Sequence, residues 1–355
     1  MKEATIILED RTQWSGYSFG AENSCSGELV FNTGMVGYPE SLTDPSYLGQ
    51  ILMLTYPLIG NYGVPAQEKT TDLQHHFESS KIQASALVIQ HLSTHWSHWN
   101  SARSLAQWLK TEGIPGICGI DTRGLTQHLR SSGTMLAKII IDGDVDWYAP
   151  DQHNLVAQSS CTQPRSYGNG SRTVILIDCG VKHQIIHQLV QHDLTVIVVP
   201  WDYSFSHMSF DGIFVSNGPG DPRHCTKTVH HLRAQLQKNI PIFGICMGHQ
   251  LLGMAAGASI YKLKYGHRSQ NQPVIEEGTH RCLITAQNHG YAIDAKTLPK
   301  DWKCWFTNLN DQSCAGLSHT SGYYKSVQFH PEATPGPHDA QWFFIDFRRT
   351  IEECS

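Results

Sequence analysis

Pro241-Ile-Phe-Gly-Ile245-Cys246-Met-Gly-His-Gln250 is an apolar run that ends on a cysteine, with Gly244 two residues before it and Gly248 two after. The segment that follows, Leu251-Leu-Gly-Met-Ala-Ala-Gly-Ala258, has the small residues of a closely packed helix. A buried strand that turns into a helix around one cysteine follows the logic of a nucleophile elbow, with Cys in place of Ser. Such a turn lifts the side chain above the sheet. The helix N-terminus favours thiolate over thiol, and the Met247 N–H is placed to stabilise an oxyanion. The same residues also read as a buried cysteine in a Gly-rich turn, so their meaning depends on what surrounds them.

Upstream, Thr173-Val-Ile-Leu-Ile-Asp178, Leu194-Thr-Val-Ile-Val-Val199 and Gly212-Ile-Phe-Val-Ser216 are continuous apolar runs of the kind expected for buried parallel strands. Helical segments around 184–190 and 226–238 separate them. Strand and helix alternate, which predicts an α/β fold with a doubly wound, mostly parallel sheet over residues 172–355. Residues 151–171 hold Ser159-Ser160, Pro164, Ser166 and Gly168-Asn-Gly170-Ser171, a turn-rich composition that predicts a linker. Residues 1–150 mix short β-like runs (28–31, 50–55, 86–89) with helices near 104–110 and 121–130, predicting an N-terminal mixed α/β domain.

In such sheets, ligands bind beyond the carboxyl ends of the strands. Two further strand ends carry chemistry. Tyr323-Tyr-Lys-Ser-Val-Gln-Phe329 delivers His330-Pro-Glu332. Thiol catalysis needs a base to move the proton and a carboxylate to orient that base, and these residues supply both. Ser216-Asn-Gly-Pro-Gly-Asp-Pro222 follows the third strand, where two glycines let backbone N–H groups approach an oxyanion. Taken singly, a His-Pro-Glu turn and an Asn-Gly-Pro-Gly loop are ordinary turns.

Together, in this order, the three motifs resemble the class I, triad-type glutamine amidotransferases. That resemblance implies Cys246 as nucleophile, His330 as general base and acid, Glu332 as the orienting carboxylate, and Gly220 with Met247 as the oxyanion hole. The N-terminal stretches Leu8-Glu-Asp-Arg-Thr-Gln13, Phe31-Asn-Thr-Gly-Met-Val-Gly-Tyr38, Leu42-Thr-Asp-Pro-Ser-Tyr47 and Thr55-Tyr-Pro-Leu-Ile-Gly-Asn61 look like the small, glutaminase subunit of carbamoyl-phosphate synthase. Gly119-Ile-Asp-Thr-Arg123, Gln287-Asn-His-Gly290 and the run from Pro331 to Asp339 fit the same family. The resemblance implies L-glutamine contacts at Ser46, Gly218, Gly220, Met247, Gln250, Asn288, Gly290 and Tyr291. It also implies a large synthetase subunit that takes the ammonia and makes carbamoyl phosphate for arginine or pyrimidine synthesis. ATP and Mg belong to that subunit, and this chain needs no cofactor and no metal. One departure is Ser269, Gln270 and Gln272, where the family commonly has Gly-rich residues and a second His; it bears on coupling to synthesis more than on cleavage.

Composition sets the outer limits. The chain has 355 residues, 40% hydrophobic and 16% charged, with a formal net charge of -5. That allows two cores and gives no basic bias toward nucleic acid or an anionic membrane. No apolar run approaches the roughly 20 residues of a membrane span, and an acidic start without a long apolar run argues for a cytoplasmic protein. Ten cysteines form no C-x-x-C pair, and there is no G-x-x-x-x-G-K-[ST] phosphate loop. His91, His95 and His98 have helical metal-ligand spacing but lack the Glu of an H-E-x-x-H site. The rival readings are a non-catalytic subunit with this fold, the glutaminase of another biosynthetic synthase, and a cysteine hydrolase of γ-glutamyl peptides.

Overall fold

Alternating apolar runs and helices build the C-terminal half around a sheet whose middle is parallel. The computed structural model describes residues 2–67 and 73–354 and divides into two units, Met1–His153 and Asn154–Ser355.

In the second unit the central strands run Leu194–Pro200, Arg172–Asp178, Gly212–Val215, Ile242–Ile245 and Tyr324–Val327, each parallel to its neighbour. The order reverses direction at Arg172–Asp178, which opens a crevice beyond the strand ends. The sheet continues past Tyr324–Val327 as an antiparallel arm of Cys314–His319, Trp302–Asn308, Ile260–Glu276 and Cys282–Ile293. The doubly wound part is therefore half of a larger mixed sheet. The arm explains why residues 260–310 show no strand–helix alternation.

Side chains alternate across the central strands. Ile213, Val215 and Ile242 pack on one face with Met247, Leu251 and Leu252 of the helix Met247–Ala256. Phe214 and Phe243 point to the other face, against the helix Trp342–Glu353: Phe347 lies 5.1 Å from Phe214 and 5.0 Å from Phe243, ring centre to ring centre. Both faces are thus covered, as a parallel sheet requires.

Residues read as a linker are more ordered than their composition implies. Leu155–Ser159 is a short helix capped by the Asn154 side chain, and Arg165–Tyr167 pairs antiparallel with Leu194–Pro200 as an edge strand. Polar, Gly-rich sequence suits an edge strand as well as it suits a linker, because only one side is paired. The departing residues Ser269, Gln270 and Gln272 lie within the long strand Ile260–Glu276, whose pairing is broken by register shifts.

Among the described residues of the first unit, seven strands close into a mixed barrel: Glu3–Leu8, Met135–Ile140, Cys25–Asn32, Gln50–Leu54, Ala86–Val88, Pro115–Cys118 and Gln13–Gly20. The helices Leu105–Thr111 and Thr122–Ser132 start at Ser104 and Asp121, whose side chains accept N–H bonds from Gln107 and Gly124. His91 begins a two-residue strand and His95 and His98 lie in the irregular stretch that follows, so the helical spacing suggested by sequence is not realised.

The aromatic seam under the sheet is a direct test of this packing. Phe347→Ala should lower the unfolding free energy of the second unit by about 3–5 kcal/mol, measured by urea denaturation. Ile345→Ala, at an exposed position of the same helix, should change it by less than about 0.5 kcal/mol.

Candidate active site

Cys246 ends the strand Ile242–Ile245 and precedes the helix Met247–Ala256. Its backbone has φ 54 and ψ -102, a left-handed conformation that costs a side chain-bearing residue about 1–3 kcal/mol. The turn is held in place by its neighbours. Cys246 N–H donates to Val327 O at 2.9 Å, and Gly248 N–H donates to Ser216 O at 2.9 Å. A Cβ on Gly248 would lie 2.2 Å from Val215 O, and one on Gly244 2.7 Å from the Gly248 backbone. The two glycines that flagged the motif are thus required by close backbone approach. Met247, as the first helical residue, has an N–H with no intrahelical acceptor.

His330 follows the adjacent strand Tyr324–Val327. Its N–H donates to Ala286 O at 2.9 Å, and its Nδ1 bonds to Glu332 Oε1 at 2.6 Å. The other ring nitrogen, Nε2, is buried and makes no hydrogen bond of normal geometry. The Cys246 sulfur lies close enough to favour imidazolium, while in the resting site its thiol donates to Asn288 O at 3.6 Å. A loose nucleophile–base contact is common before substrate binds. Burial opposes charge on His330, but Glu332 and the Cys246 sulfur outweigh it and carry the imidazole up to about 10.

Glu332 is fully buried, which by itself would favour the neutral acid. Lys182 and His330 reverse this and hold the carboxyl at about 2. Lys182 Nζ lies 2.9 Å from Glu332 Oε1 and also donates to Thr334 O at 2.7 Å. Sequence reading missed Lys182. Nothing in the sequence marks it: it lies just after the strand Arg172–Asp178, at the sheet's switch point, where Asn217 Oδ1 accepts its backbone N–H at 3.1 Å.

The other predicted residues of this unit divide by element. Gly218 and Gly220 lie in the turn after Gly212–Val215, Gly220 with φ 79. Gln250 is one turn along the nucleophile helix; its Nε2 donates to Tyr291 O at 2.9 Å and to Gln328 Oε1 at 3.1 Å. Asn288, Gly290 and Tyr291 lie along the strand Cys282–Ile293, which Asn288 O ties to the thiol. Ser46 belongs to the first unit, in the turn Pro45–Tyr47, where its N–H bonds to Asp44 Oδ1. His249, next to the nucleophile in sequence, is a packing residue: burial pushes its imidazole down to about 3, and Nδ1 bonds to Ser326 Oγ. Ser269 and Gln272 bond to each other, and Gln272 Oε1 accepts from Asn308 and Asn310, so the departing residues form a polar network beside this strand. Among the described residues, no group of three or more His, Cys, Asp or Glu is placed to share a metal ion.

Residues 175–350 match the class-I glutamine amidotransferase family, and residues 6–139 match the carbamoyl-phosphate synthase small chain, CPSase domain. The second unit is thus a class-I glutamine amidotransferase domain. The arginine-specific carbamoyl phosphate synthase small chain of Neosartorya fischeri is 48% identical over 97% of this chain and 78% of its own length. The multifunctional protein CAD of Squalus acanthias is 51% identical over 99% of this chain, and the chain spans only 16% of that protein. A glutamine amidotransferase structure from Thermotoga maritima overlays 52% of this chain and 86% of its own, at 18% identity and a TM-score of 0.39. The chain belongs to the carbamoyl-phosphate synthase small-chain family.

The two shifted groups have opposite pH signatures. Glu332 is lowered from 4.5 to about 2, so its contribution to stability is present above about 4.5 and is lost as pH falls toward 2. His330 is raised from 6.5 to about 10, so its contribution is present below about 6.5 and is lost as pH rises through 10. Lys182→Met removes the cation that contributes most to holding Glu332 charged. It should lower stability by about 3–5 kcal/mol and move the acid limb of any activity profile to higher pH, read from kcat against pH.

Proposed function

We propose that this chain hydrolyses L-glutamine to glutamate and ammonia at Cys246. The observation that carries the reading is that Cys246 and His330–Glu332 end neighbouring parallel strands, with His330 locked onto Glu332 at 2.6 Å. The Cys246 thiolate attacks the amide carbon. Backbone N–H groups of Gly220 and Met247 hold the oxyanion. His330, held as imidazolium by Glu332, protonates the departing ammonia and then takes a proton from the water that hydrolyses the thioester. Glu332 stays ionised throughout because Lys182 stabilises its charge.

Gly218, Gly220, Met247, Gln250, Asn288, Gly290 and Tyr291 are proposed to hold glutamine, and Ser46 joins them on family resemblance alone. The ammonia is proposed to pass to a large synthetase subunit that makes carbamoyl phosphate from bicarbonate and ATP, with ATP and Mg bound on that partner. Ammonia is mostly protonated near neutral pH and is then no nucleophile, which favours direct transfer. The Neosartorya fischeri relative is named arginine-specific, and the product is proposed to feed arginine or pyrimidine synthesis. No described helix is long and apolar enough to cross a membrane, which is compatible with a cytoplasmic enzyme. A non-catalytic subunit is disfavoured, since it would have no use for a strained cysteine beside a fully oriented base.

Glutamate release with and without the synthetase subunit tests the reading. Cys246→Ser should lower glutamine-dependent activity by at least about a thousandfold while added ammonia still supports carbamoyl phosphate formation. Full glutamine-dependent activity in the variant would sink the assignment.

A further inference from the structure

The strands Trp302–Asn308 and Cys314–His319 form an antiparallel hairpin with one cysteine on each, Cys304 and Cys314. A regular ladder would keep the two apart. Cys304 is paired with Leu317, and Cys314 with Thr307. Thr307 lies three residues beyond Cys304, and three residues of strand span about 10 Å and change face. The register shifts on both sides of Phe306, which faces Gly316. A bulge of this kind bends its strand and re-aims its side chains. Gly316 leaves room for it: a Cβ there would meet the Phe306 ring at 2.9 Å. Across this irregular hairpin Cys304 Sγ lies 3.4 Å from Cys314 Sγ.

Both are free thiols, Cys304 half-buried and Cys314 enclosed. At rest each has a carbonyl to receive its proton, Phe306 O at 3.1 Å from Cys304 and Gly316 O at 3.4 Å from Cys314. When Cys304 ionises, the Cys314 thiol is placed to turn and donate to it. That hydrogen bond is the largest influence on Cys304 and, with Thr307, holds its thiol below the ordinary value against burial. The same contact, followed by burial, pushes Cys314 well above it. The more exposed sulfur is thus the more readily ionised, and a protonated sulfur stands behind it. A disulfide holds its sulfurs about 2.0 Å apart, so the bond asks for a closure of about 1.4 Å from the observed 3.4 Å.

We infer that Cys304 and Cys314 are an oxidation site, where a hydroperoxide joins them in a reversible disulfide across the hairpin that packs against Phe329. The Cys304 thiolate attacks one peroxide oxygen. The O–O bond breaks, and the departing hydroxide takes up the Cys304 proton as water. Cys304 is left as a sulfenic acid. The Cys314 sulfur then attacks Cys304 Sγ, the S–O bond breaks, and the hydroxyl leaves with the Cys314 proton as a second water. Two thiols give two electrons to the peroxide, and one disulfide and two waters result. The bond has a route to the catalytic base. Phe306, at the register shift, has its ring centre 5.5 Å from that of Phe329, the neighbour of His330. Gln328 N–H donates to Ala315 O at 2.9 Å, beside Cys314. Drawing the sulfurs together moves the bulge that seats Phe306 and slows turnover at His330. This second step rests on the glutaminase reading; the disulfide does not.

The test treats the full chain with hydrogen peroxide, alkylates the remaining thiols and digests with trypsin. Lys303 and Lys325 bound a peptide, 304–325, whose only cysteines are these two. It should appear unalkylated and lighter than the dithiol by two hydrogens, and dithiothreitol should restore two alkylatable thiols. Two alkylated thiols after treatment, or Cys304 carried on to a sulfinic acid with Cys314 untouched, would overturn the inference. Glutamine turnover by the treated chain should fall by about threefold or more and recover with dithiothreitol, and Cys304→Ser should abolish that reversible part. A reversible loss that persists in Cys304→Ser would arise at another thiol and refute the link to His330. If the variant fails to fold, the wild-type peptide still decides whether the bond forms. An untreated chain that hydrolyses no glutamine would refute the glutaminase reading and leave the peptide result standing.

Discussion

The buried charge chain from Lys182 through Glu332 to His330 is the constraint on which the site depends. Each member would be expensive alone. The lysine is almost fully enclosed and the glutamate is wholly so, and neither would stay charged in an apolar interior without the other. Once paired, they give His330 a fixed anionic partner, and the imidazole can alternate between base and acid without losing its orientation. The chain joins two segments far apart in sequence, the turn after Arg172–Asp178 and the turn after Tyr324–Val327, whose Thr334 carbonyl also accepts from Lys182. The parallel sheet brings those turns to one rim, so the electrostatics of catalysis and the topology of the sheet are one problem.

Cys246 is the counterpart on the nucleophile side. Its strained backbone is stabilised by hydrogen bonds from both sides and by two glycines that let neighbouring strands close in. Any side chain at Gly248 would collide with the Val215 carbonyl, which also borders the Ser216–Gly220 turn. The turn at 216–220 and the turn at Cys246 are therefore fixed against each other, and neither can shift without the other.

The parallel half of the sheet and the placement of Cys246, His330 and Glu332 at its strand ends were legible because their signals are local. A hydrophobic run that ends on Cys246 or His330 states both the strand and the site at its end. The antiparallel arm was less legible. Its strands are partly exposed, interrupted by register shifts at Lys262/His267 and Ser269/Gln272, and rich in Gln, Asn and His, so no continuous apolar run marks them. Lys182 escaped because a single lysine after a strand carries no pattern; only the fold shows what it faces. Residues 151–171 illustrate the converse, since turn-rich composition concealed an edge strand whose partner lies some thirty residues on, at Val196–Val198.

The closed barrel of the first unit has a further consequence. A closed ladder leaves no row of unpaired backbone N–H and C=O groups to offer another chain. Association through the barrel itself cannot proceed by lending or borrowing a strand. It must read side chains on the outer wall and the tips of connecting turns, where Met35, Val36 and Trp99 are exposed. Recognition of that kind is set by individual side chains, so its specificity can change by point substitution while the barrel beneath stays the same.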